Sequence, residues 1–72
     1  MLEQIAKLLA RTPFHPFAIV TTNGNEYRVD HPENAAIVAK RLVVALPNDE
    51  GVVTLSTLHV AELKDFSPAA GL

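Results

Sequence analysis

Three histidines, His15, His31 and His59, are the side chains of this chain best suited to hold a metal or carry a proton. Their separations of 16 and 28 residues match no short-spaced ligand pair, and there is no cysteine to complete a tetrahedral set. Each reads as a hydrogen-bonding residue at a turn or strand end, so no metal ligand is assigned. Asp30, His31 and Glu33 form the densest polar cluster. A carboxylate beside an imidazole can orient it as a general base. Neighbours in an extended chain point to opposite faces, however, so Asp30 is badly placed to orient the His31 ring. The chain has no serine in a nucleophile elbow and no GxGxxG or GxxxxGK[ST] loop to cradle phosphate. No catalytic residue and no cofactor site is assigned, and the expectation is a protein that is not an enzyme.

The cations offer the other chemistry. Lys7 and Arg11 share one face of the N-terminal helix read below, and Lys40 and Arg41 sit at a hairpin tip. Repeated around a ring, either pair would form a basic belt, which makes Lys7, Arg11, Lys40 and Arg41 the candidate nucleic-acid contacts. In a monomer each pair is an ordinary solvated face. The net charge of −2 gives no broad positive field, which argues against non-specific coating of DNA.

These side chains must be positioned by a single domain, because 72 residues make no more than one. Residues Leu2 to Arg11 predict a helix. At 100° per residue, Leu2, Ile5, Ala6 and Leu9 cluster with Leu8 at their flank, opposite Glu3, Gln4, Lys7 and Arg11. Pro13 stops it, since the residue before a proline is pushed out of the helical region. Pro13 to Phe17 then form a stiff connector in which Phe14 and Phe17 plug the gap between helix and sheet. Residues 17–22 and 25–30 predict a hairpin about Asn23-Gly24. A three-residue loop with Gly24 left-handed pairs Ile19 with Tyr27 and Phe17 with Val29, collecting the large apolar residues on one face. A two-residue loop would instead set Ile19 opposite Arg28.

Asp30 to Asn34 turn the chain, and residues 35–39 and 42–46 follow as strands around Lys40-Arg41. A polar turn at 47–51 leads to a strand at 52–55. Residues 56–66 fit either a capped helix or one turn at 56–58 followed by a strand at 60–65, and the second is preferred. Residues 67–72 read as a loose tail. The fold class expected is α+β: an N-terminal amphipathic helix, then about five short antiparallel strands in a small, bent sheet or an Sm/SH3-like barrel, all within residues 1–66.

A chain this short buries only about 60 % of the surface it exposes when unfolded, so its core is thin. Without disulfides, burial against another copy is the natural support. Leu42 to Leu46 is apolar on both faces. With Leu42, Val44 and Leu46 inward, Val43 and Ala45 point outward beside the strand at 52–55. Val43, Ala45 and Val53 are the candidate self-association residues, and a homo-oligomer is the expected state. No apolar run approaches the ~20 residues of a bilayer span, and Met1-Leu2-Glu3-Gln4 lacks the basic start of a signal peptide. A cytoplasmic location is the default.

The order Pro13-Phe14-x-Pro16-Phe17, Asn23-Gly24 with Tyr27 and Val29, His31-Pro32-Glu33 and Leu58-His59-Val60 resembles a group of short uncharacterised bacterial proteins over residues 1–66. No activity is established for that group, so the resemblance assigns no functional residue. The helix-then-strands order is also similar, more loosely, to Sm-like barrels, including the bacterial Sm-like RNA chaperone. That likeness implies an oligomeric, RNA-binding ring. The Asp and Asn of the Sm signature are not clearly reproduced, and His59-Val60-Ala61 echoes the tyrosine-lysine-histidine segment of the chaperone only vaguely.

Overall fold

The computed structural model describes residues 1–66. Helix α1 spans Leu2–Ala10 and ends as expected before Pro13. Six strands follow: β1 Phe17–Thr21, β2 Glu26–Val29, β3 Ala35–Val38, β4 Arg41–Ala45, β5 Val52–Leu55 and β6 Val60–Asp65. They form two antiparallel sheets of three strands each, ordered β2-β1-β6 and β3-β4-β5. The α+β class holds, with two corrections. The count is six because the ambiguous segment at 60–65 is a full strand, preceded by the expected single turn, Thr57–His59. The barrel is not closed, because a 3-10 turn at Pro32–Asn34 separates β2 from β3 and leaves two sheets instead of one bent sheet. Pro32 explains the break, as it has no N–H to give a ladder. The tail at 67–72 lies outside the described residues.

The β1–β2 register is the bulged one, with Ile19 opposite Tyr27 and Phe17 opposite Val29. Gly24 has φ +90°, which its missing Cβ permits. The buried Thr21 hydroxyl organises the loop, donating to Asn23 Oδ1 and accepting from the Asn25 N–H at 3.2 Å. The β3–β4 turn lies one residue earlier than the sequence suggests. Val38 pairs with Arg41, so the tip is Ala39-Lys40 and Arg41 lies in the strand. Both tip residues have positive φ, 51° and 63°.

The core lies between the inner faces of the two sheets. Phe17, Ile19 and Val29 meet Leu42, Val44 and Ala35, and Ile5 of α1 is fully buried among them. The helix seam is rotated slightly from its expected position: Leu8 and Leu9 pack on the core beside Ile5, while Ala6 is exposed. This follows from helical geometry, since positions three and four after Ile5 share its face. Phe14 packs on the core with its ring 6.1 Å from that of Phe17, which plugs the space under the helix end as read from the sequence.

Candidate functional site

The outer faces of the two sheets differ sharply. Directly paired residues in an antiparallel ladder share a face. On the β2-β1-β6 sheet the outer row is therefore Glu26, Val20 and Glu62, with Arg28, Ala18 and Lys64 beside it. Lys64 Nζ donates to Glu26 Oε1 at 3.0 Å, reaching across β1. Arg28 Nε donates to Asp30 Oδ1 at 2.6 Å, and its guanidinium stacks 4.6 Å from the Phe66 ring centroid. The hydrogen bond to Glu26 holds the Lys64 amine above its ordinary value, because the charged ammonium binds the carboxylate more strongly than a neutral amine would. Ala18, beneath this charged cover, is fully buried.

The β3-β4-β5 sheet carries no such cover. Its outer residues are Ala36, Val38, Arg41, Val43, Ala45, Val52 and Thr54. Val38 is 57 % exposed and Val52 64 % exposed. Val43 and Ala45 thus lie on this face as expected. Val53 does not: it pairs with the buried Val44, so it shares the inner face and packs on the core. The outward residue of β5 is Val52. The sequence missed it because the register across the 47–51 turn was not determined by its composition. Val38 was missed for the same kind of reason, since the hairpin tip was placed one residue late.

The four candidate cations are not gathered into one patch. Arg11 is engaged by its own chain. Nη1 donates to Asp65 Oδ2 at 2.8 Å and Nη2 to Oδ1 at 2.7 Å, with a further bond of 3.1 Å to the His15 carbonyl. That bidentate bond raises the Arg11 pKa above its already high value, against the opposing effect of partial desolvation. The pair ties the end of α1 to β6. Lys7 lines a shallow groove with Met1, Gln4, Leu8 and Leu63. Lys40 and Arg41 sit at the far hairpin, both exposed. Among the described residues no three His, Asp or Glu side chains converge as a metal site would require.

A cleft of about 690 Å³ opens where the two sheets fail to join. One wall is Glu26, Tyr27 and Arg28 of β2 with Asp30 just beyond it, and the other is the chain from Val44 to Asn48. Sequence reasoning did not find this cleft. Its walls come from segments about twenty residues apart and no residue type marks them. No helix among the described residues is long and apolar enough to cross a membrane. Comparison with known protein families, curated proteins and solved structures finds no match to this chain.

Proposed function

We propose that the protein is a non-catalytic module that associates with copies of itself through the outer face of β3-β4-β5. The observation that carries this reading is the contrast between the two outer faces. One is covered by ion pairs and a stacked guanidinium, whereas the other presents Val38, Ala45, Val52 and the half-buried Val43, with Arg41 the one charge among its described residues. An antiparallel sheet that faces water alternates apolar and polar residues. Here β4 is apolar on both sides from Leu42 to Ala45, and two such faces packed together would lie roughly 10 Å apart, as in a sandwich.

The size of the face sets the strength. Three strands of four or five residues cover about 14 Å by 15 Å at ordinary strand spacing and rise. That is well below the ~800 Å² per partner of a standard stable interface. The association expected is therefore reversible, with a dissociation constant in the micromolar range or weaker. Light scattering or sedimentation from about 1 μM to 1 mM tests it. The average mass should rise with concentration, and Val43→Lys should hold the protein monomeric with an unchanged circular dichroism spectrum. A parent that stays monomeric throughout that range overturns the reading.

A further inference from the structure

We infer that the cleft beside β2 is a strand-addition site that takes an extended, uncharged peptide segment of another protein. The argument begins with the ladder. Thr21 N–H donates to the Asn25 carbonyl at 2.8 Å, which makes those two a hydrogen-bonded pair. Such pairs alternate along an antiparallel ladder. Ile19 with Tyr27 and Phe17 with Val29 are then the next bonded pairs, and the peptide groups of Glu26 and Arg28 face away from β1. On that side β2 is the edge of its sheet. Among the described residues nothing is hydrogen-bonded to the main chain of Glu26 or Arg28. Two N–H and two C=O groups thus line one wall of a cleft of about 690 Å³. Edge groups of this kind are what strand addition uses.

Three further features identify the occupant. The charges on the β2 wall are already satisfied within the chain: Glu26 by Lys64, and Arg28 by Asp30 and the Phe66 ring. A charged ligand would have to displace those pairs, whereas neutral side chains would not. The apolar surface offered beside the free peptide groups is that of the half-buried Tyr27 and Leu46, which suits small apolar side chains on one face of an extended segment. The opposite wall, Val44 to Asn48, limits what can enter. A strand at the edge of another copy's sheet would bring its own neighbour about 4.8 Å behind it, and that neighbour would meet the second wall. A lone extended segment of four or five residues, matching the four of β2, has no such conflict.

This site touches the β3-β4-β5 outer face at Ala45, so the test is run on both the parent and Val43→Lys. The probe is a capped pentapeptide of alternating valine and threonine, titrated to millimolar concentration into the 15N-labelled protein. Its fully N-methylated form serves as the control. The expected result is that hydrogen exchange at the Glu26 and Arg28 amides slows by about tenfold or more at saturation. The N-methylated peptide cannot donate to the Glu26 and Arg28 carbonyls, and its methyl groups hold the two backbones apart, so it should leave these amides unchanged. Arg28→Pro removes one outward N–H that no ladder bond uses, and it should weaken peptide binding at least tenfold. Equal effects of both peptides would mean side-chain contact alone and would overturn the proposal. So would the absence of any change at millimolar peptide. Protection of these two amides that rises with protein concentration alone would assign the cleft to a second copy, and would also overturn it. If Arg28→Pro fails to fold, the two peptides decide the matter on the parent protein.

Discussion

The Ala39-Lys40 turn carries strain that a two-residue change should release. Both residues adopt positive φ, 51° and 63°, in the tight connection between β3 and β4. Two-residue hairpins favour this mirror-image turn because its twist matches that of the strands, and they normally fill it with Asn-Gly. An ordinary L-residue in the left-handed region costs roughly 1–2 kcal/mol. Both side chains are exposed, so replacing them loses little packing. Lys40→Gly removes that cost but adds about 0.4–1 kcal/mol of freedom to the unfolded chain, leaving a net gain of roughly 0.5–1 kcal/mol. Ala39→Asn adds some tenths more, since asparagine tolerates the left-handed region through its short polar side chain. The double variant should be about 1–1.5 kcal/mol more stable. At about 2.1 cal/mol/K of unfolding entropy per residue, that is a rise of roughly 6–10 °C in Tm for 72 residues. Thermal melts followed by circular dichroism, at a single protein concentration, measure it. A double variant that melts at or below the parent would show that the hairpin does not use this turn, and the Val38–Arg41 register would fall with it.

Other changes report on other parts of the fold. Ile5→Ala should cost about 2–4 kcal/mol because Ile5 is fully buried, and Leu9→Ala clearly less because Leu9 is half-buried; equal losses in urea titration would contradict the seam described. Gly24→Ala should cost about 1 kcal/mol through the backbone alone, as a Cβ there meets nothing within 4 Å, and Gly24→Asn should cost less. Arg11→Met should lose about 0.5–1 kcal/mol. The pair is bidentate but 25 % and 44 % exposed, so the loss measured against parent should shrink in 1 M salt. For Lys64, whose amine is held above its ordinary value of 10.5, the stabilisation is fully present below that value and is lost as pH rises above it. Parent and Lys64→Met should therefore converge in stability in strongly alkaline solution and differ by a constant amount between pH 6 and 9.

Much of the architecture was legible because local signals agreed. Helical periodicity with Pro13 behind it placed α1 to within a residue. Asn23-Gly24, together with the demand that Phe17, Ile19, Tyr27 and Val29 share a face, selected one hairpin register. Ser56 signalled its turn correctly as well, and in the structure its hydroxyl accepts from the Leu58 N–H at 3.3 Å. The candidate sites were less legible. The sequence marked Val43 and Ala45 by the absence of alternation in β4, but it assigned Val53 to the wrong side of β5.

What the sequence by itself determined is the set of elements, since helix periodicity, turn residues and the period of two along a strand act over a few neighbouring positions. The tertiary structure alone decided which strands border one another and where the two sheets part. It joined Arg11 to Asp65 and so engaged one of the four candidate cations within the chain. It laid Lys64 across β1 to Glu26, charging one outer face while leaving the other apolar. It also set β2 across from the Val44–Asn48 segment with a gap between them. These outcomes depend on contacts between residues far apart in the chain. Such contacts are chosen by how the whole core packs, and no short window of sequence contains them.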